Sequence, residues 1–288
     1  MKTKPLFDFM HAGNAVDVKE IWRSGLNFRK ADTNAFNSAK KIAFVTASPN
    51  NFRKFMDGKH HSVAAVIVKL GFTFEPVSLS EIAKGKLSSC HIVWFPGGFG
   101  YFPDKKVSRL LREFVASGGG CIGICAGAFV PLRPSSSYKG MKGGLGLLAA
   151  TYDYFRETGI ARVNINPADP IAYGLKSVAR KPIYALYRLP GKARRYTVRI
   201  SMLRGNGPLM IACSTTARVV GYYDGNKPYA AVVRGQYGSG RVVVFSAHPD
   251  AAVSDIARLA SPADAVENLK IVKNAILYCG GIDPASAR

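Results

Sequence analysis

The chain has 288 residues, is 48% hydrophobic, and carries 40 basic against 18 acidic residues for a formal net charge of +22. That length and apolar content suffice for a full buried core, whereas the longest apolar runs, such as Val63 to Val68 and Val242 to Phe245, fall far short of the roughly 18 residues of a membrane helix. Five scattered cysteines (Cys90, Cys121, Cys125, Cys213 and Cys279) do not form a disulfide framework, and no CxxC pair or His cluster completes a metal site, so reduced thiols, no metal and no cofactor are expected.

Residues 1–40 lack a clear period and read as an N-terminal extension with one short helix around Ala15 to Ser24. Asp8, His11, Gly13 and Asn14 interrupt what would have to be the unbroken apolar stretch, about 7 to 15 residues long, of a secretory signal. An intracellular, cytoplasmic location is therefore expected, with an organellar address left open by Arg23, Arg29 and Lys30.

The main domain is expected over residues 41–280, with a short tail over 281–288. Lys41 to Ala47 reads as a buried first strand, Ser62 to Leu70 as a helix closed by Gly71, Phe72 to Ser78 as a second strand and Cys90 to Phe95 as a third. Lys105 to Ser117 places Val107, Leu110, Leu111, Phe114 and Val115 at helical spacing, and Gly118 to Gly120 separate it from a fourth strand, Cys121 to Ile124. Alternation of this kind predicts an α/β fold, doubly wound around a mostly parallel, flavodoxin-like sheet. The second half changes character. Leu145 to Tyr154, Arg162 to Asn166, Tyr184 to Leu189, Tyr196 to Met202, Leu209 to Cys213, Ala217 to Tyr223, Tyr229 to Tyr237 and Arg241 to Phe245 read as short strands, an antiparallel edge with hairpin turns at Asp224-Gly225 and Gly238 to Gly240. Pro262 to Tyr278 closes the domain as an amphipathic helix.

The sharpest chemical signal is Gly119 to Gly127, where an apolar strand runs into Gly123-Ile-Cys125-Ala-Gly127. Glycines two before and two after a nucleophile permit the tight turn that lifts its side chain above the sheet edge, and a following helix would favour the thiolate. Cys125 is thus the candidate nucleophile, while Cys121, Cys213 and Cys279 read as packing residues. Of the five histidines, His248 alone follows a long apolar strand, and Asp250 two residues on is placed to orient it. The free backbone amides in Pro96-Gly97-Gly98-Phe99-Gly100, those after the proline, and that of Ala126 are candidate oxyanion donors.

Phe95-Pro-Gly-Gly98, Gly119 to Gly127 and Val243 to Asp250 together resemble the class I glutamine amidotransferase-like superfamily. Within it they most resemble the amidotransferase-like domain at the N-terminus of some eukaryotic biotin-protein ligases and of stand-alone bacterial proteins. The resemblance implies a Cys125–His248–Asp250 triad, Gly98 and Ala126 as oxyanion-hole donors, and Gly97, Phe99 and Phe129 beside the substrate. Two positions depart from that pattern: Phe129 stands where glutamine-hydrolysing members carry Gln, and Asp250 where Glu is usual. A thiol hydrolase or amidotransferase-like protein acting on an amide is therefore expected, a small-molecule amide being open as substrate and glutamine disfavoured, and the alternative is a catalytically silent binding or assembly module for an anionic partner.

The basic charge suits such a partner, although it is spread in small clusters (Arg53 to Lys59, Lys139 to Lys142, Lys192 to Arg199) with no nucleic-acid-binding signature, which makes nucleic acid the lesser reading. Arg133, Lys139 and Lys142 read as a solvated loop rather than a recognition site. Oligomeric state is not legible.

Overall fold

In the computed structural model of the protein, the described residues are 40–46, 67, 72–97, 102–134, 144–154, 158–176, 198–205, 207–213, 216–225, 229–250 and 262–286. The expected helix at Ala15 to Ser24, the strand at Tyr184 to Leu189, and Gly98 and Phe99 lie outside them, as does the expected helix at Ser62 to Leu70 apart from Ile67, which is helical and buried. No described helix is long and apolar enough to cross a membrane.

Five strands build the parallel half: β1 (Lys41–Val45), β2 (Thr73–Val77), β3 (Ile92–Phe95), β4 (Gly120–Ile124) and β12 (Gly240–Phe245). They lie in the order β2-β1-β3-β4-β12, every adjacent pair parallel. The residues of β3 and β4 are β-branched, aromatic, glycine or cysteine, and all of them are buried, as expected of a sheet covered on both faces. Alternation then splits the side chains. Ile42, Phe44, Trp94, Ile122 and Ile124 join one core with the helix α3 (Pro262–Cys279), whereas Ala43, Val45, Val93 and Cys121 join another with α2 (Lys105–Ala116). Period-2 alternation against helices on opposite faces is what makes the fold doubly wound.

The helices start where their sequence can satisfy orphan amides. Asp104 Oδ1 accepts from Val107 N–H at 2.8 Å, and Val107, Leu111 and Val115 form the buried stripe of α2. A short helix not anticipated from sequence, α1 (Leu79–Ala83), opens with a capping box: Ser78 Oγ accepts from Glu81 N–H (3.2 Å) and Glu81 Oε2 accepts from Ser78 N–H (2.8 Å).

The antiparallel half continues from β12 through β11 (Ala230–Tyr237), β10 (Ala217–Tyr223), β7 (Thr158–Ile165) and β8 (Val198–Gly205). β9 (Pro208–Ala212) pairs with β11 and with β6 (Ala150–Tyr154), which also pairs with the two-residue β5 (Arg133–Pro134). The expected β10-β11-β12 meander is present, but β12 sits between β11 and β4 in the middle of the sheet rather than at an edge.

Two other expectations are corrected. The strand expected from Leu145 begins only at Ala150, because Gly146 adopts φ +61° and the amides of Leu145 and Leu147 bond instead to Val130 O and Pro131 O. The helix expected after Cys125 is a five-residue 3-10 turn, Cys125–Phe129. Pro131 has no N–H to offer the Gly127 carbonyl that an α-helix would pair with it, and Val130 N–H reaches that carbonyl instead, at 3.3 Å.

Candidate active site

Because β3, β4 and β12 are adjacent and parallel, their carboxyl ends share one edge of the sheet, where open α/β folds place their chemistry. Each delivers one element of the site: Gly97 after β3, Cys125 after β4, and His248 after β12.

Cys125 sits at φ +50°, the one positive φ at a non-glycine among the described residues. That conformation costs an L-residue about 1–2 kcal/mol and persists only where the surroundings enforce it. The flanking glycines do so. A Cβ on Gly127 would fall 2.0 Å from Phe95 O, and one on Gly123 would fall 2.9 Å from Gly127 O, so neither position admits a side chain and the elbow closes tightly.

The thiol is 2% exposed, and Cys125 Sγ donates to Gly205 O at 3.1 Å. His248 is 3% exposed; its amide donates to Leu203 O at 2.7 Å and its Nδ1 lies 3.1 Å from Asp250 Oδ1. Nε2 is buried and has no hydrogen-bond partner among the described residues. Burial by itself would depress the imidazole pKa. The charge of a Cys125 thiolate, followed by the hydrogen bond to Asp250, outweighs it and holds the imidazolium well above the usual histidine range. Thiol and imidazole thus share one edge of the sheet, with the resting thiol proton directed at Gly205 O and Nε2 without a partner among the described residues.

Gly97 makes room for this ring, since a Cβ there would lie 2.1 Å from His248 Cε1. Ala126 follows the nucleophile in the 3-10 turn and is half-buried. Phe129, expected beside the substrate, is 3% exposed and lies in the α2-side core, edge-on to Tyr152 with ring centroids 4.8 Å apart.

Sequence reasoning missed the corner after β8. The antiparallel half curls back so that Leu203 and Gly205 reach His248 and Cys125, and Gly207 passes so close that a Cβ would meet Ser246 O at 1.8 Å. Ser246 fixes this corner: Tyr223 Oη donates to Ser246 Oγ (2.8 Å), which donates to Pro208 O (2.5 Å). The Gly205-Asn206-Gly207 sequence was the available signal, but it carries no reactive group. Arg204 stacks over Tyr223 at 4.7 Å.

The remaining thiols divide. Burial pushes the Cys121 and Cys279 thiols far up and the Cys90 thiol up, consistent with inert packing residues. Cys213, expected to pack, is exposed at the end of β9, donating to Ile211 O at 3.4 Å.

No protein-family model matches the chain. No curated protein matches it either. Among solved structures it is similar to a glutamine amidotransferase, at 16% identity and a TM-score of 0.50 over 84% of this chain and 99% of that one. It is similar also to a ThuA-like protein from Bacteroides uniformis, at 11% identity and a TM-score of 0.51 over 85% and 94% of the two chains. At these identities the likeness is one of architecture, and the chain has a class I glutamine amidotransferase-like fold.

Proposed function

We propose that this protein is a cysteine-dependent amidohydrolase or amidotransferase-like enzyme using Cys125, His248 and Asp250. One observation carries the reading: beside a strained elbow cysteine, a buried imidazole has one nitrogen on a carboxylate and the other without a partner. His248 Nε2 takes the Cys125 proton and the Sγ lone pair attacks the amide carbonyl. The oxyanion is received by the amides of Ala126 and Gly98. As the C–N bond breaks, the imidazolium gives its proton to the leaving amine. Water, deprotonated by His248, then cleaves the thioester, releasing the acid and restoring the thiol, while Asp250 holds the ring orientation throughout.

The placement of Phe129 in the core offers no polar group to a glutamine side chain, which supports a different amide as substrate. The motifs that carry the resemblance support the biotin-protein ligase N-terminal type as the nearer kin. A second reading, a catalytically silent module for an anionic partner, is favoured by the 2% exposure of Cys125 and its bond to Gly205 O.

Ammonia release from a panel of primary amides, glutamine included, separates the two. The enzyme reading expects release from at least one amide that Cys125→Ser abolishes. Release no greater than that of Cys125→Ser across the panel would favour the silent module.

A further inference from the structure

At the other end of the sheet from Cys125, the start of β12 and the end of β11 border a cavity of about 760 Å³. Arg218, Arg234 and Arg241 line it with Asp169, Tyr173 and Tyr278. Two of these arginines are held in place by the protein. Arg234 Nε lies 2.8 Å from both oxygens of Asp169 and its Nη1 donates to Tyr278 Oη at 3.3 Å, while Arg241 Nη1 donates to Tyr278 O at 3.2 Å. Both guanidinium groups lie over the Tyr278 ring, at 5.2 and 5.1 Å. Arg218 is exposed and has no hydrogen-bond or carboxylate partner among the described residues.

A fourth cation, Lys40, is not part of the cavity lining but is within electrostatic reach of Arg241. The Lys40 ammonium donates to Gly280 O, and burial, then repulsion from Arg241, lowers its pKa. Against these cations the cavity offers Asp169, already engaged by Arg234, and Asp283, whose Oδ1 accepts from Ala285 N–H at 3.0 Å. Lys40, Arg218 and Arg241 therefore have no carboxylate counter-ion among the described residues. Like charges collected in a concave, partly desolvated place repel one another, and an anion of more than one charge relieves that repulsion.

We propose that this cavity binds a small phosphate-bearing ligand, with the Arg218 and Arg241 guanidinium groups on the phosphate and Arg234, fixed by Asp169, as the third cation facing it. Guanidinium forks match phosphate oxygens in pairs. The volume lies within the roughly 300–1,000 Å³ range of small-molecule pockets, and Tyr173, 39% exposed, gives the ligand an aromatic wall. Convergence of the cations on one cavity with two acids at its wall argues for a discrete ligand rather than a polymer tracked along a basic stripe. The proposal is independent of the Cys125 chemistry.

Isothermal titration of the full chain with pyrophosphate, at ionic strength held constant with NaCl, tests it. The expected result is saturable one-to-one binding, weakened about tenfold or more by Arg218→Gln and by Arg241→Gln. Arg218→Gln alters an exposed side chain, so it decides the matter alone if circular dichroism shows Arg241→Gln to be unfolded. Absence of saturable binding, equal affinity in wild type and Arg218→Gln, or binding of duplex DNA without binding of pyrophosphate would overturn the assignment.

Discussion

At Gly97, a single methyl group has nowhere to go but into the His248 imidazole, with Cβ 2.1 Å from Cε1. Gly97→Ala should therefore displace the ring, costing about 1–3 kcal/mol of stability by overpacking and about a hundredfold in Cys125 reactivity if His248 is its base. Urea denaturation and alkylation rates read the two effects separately, and a variant with wild-type values for both would mean the ring is not seated as described. The charge on His248 gives a pH prediction whose sign is fixed. Its pKa is raised in the folded protein by the Cys125 thiolate charge and by Asp250, against burial, so it contributes stability fully present below the unfolded value of about 6.5 and lost as pH rises toward the folded value. The part of that rise due to Asp250 should make stability fall with pH above about 6.5, and Asp250→Asn, which removes it, should shrink that fall. Nitrogen-detected NMR of His248 in both proteins measures it, and an unchanged titration in Asp250→Asn would contradict the pairing.

Among the elements, α1 gives the clearest single-residue expectation: Ser78→Ala removes the reciprocal cap with Glu81 and should cost about 1 kcal/mol, read as a lower urea midpoint at unchanged slope. Elements whose signals are local were legible in the sequence. β1, β3, β4 and α2 follow from short β-branched runs and a helical stripe punctuated by glycine, and the elbow from Gly123 and Gly127, whose missing side chains the backbone geometry requires. What was not legible depends on contacts distant in the chain. Leu203 and Gly205 bond to His248 and Cys125 through backbone carbonyls, which leave no residue-type signature. The shortening of β6 depended on where the amides of Leu145 and Leu147 would bond, and the 3-10 turn after Cys125 on a donor missing at Pro131, a signal present in the sequence but overlooked.

For the molecule as a whole, two cores on opposite faces of one sheet place the Cys125 edge and the arginine cavity at opposite ends of β12. A net charge of +22 across 288 residues opposes compaction by self-repulsion, which salt screens with a Debye length near 10 Å at 0.1 M. Raising NaCl from about 0.05 to 0.5 M should stabilise the protein, by about 1 kcal/mol or more, until screening saturates. Thermal denaturation across that range checks this, and a midpoint that falls with salt would show that attractive ion pairs, such as Arg234 with Asp169, dominate the balance instead.

The pH dependence of iodoacetamide alkylation at Cys125, followed by peptide mass spectrometry in wild type and His248→Ala, tests the pairing of thiol and imidazole most directly. A working pair predicts labelling that stays fast down to about pH 6 in the wild type and slows in the variant. Slow labelling with the same pH profile in both proteins would contradict it.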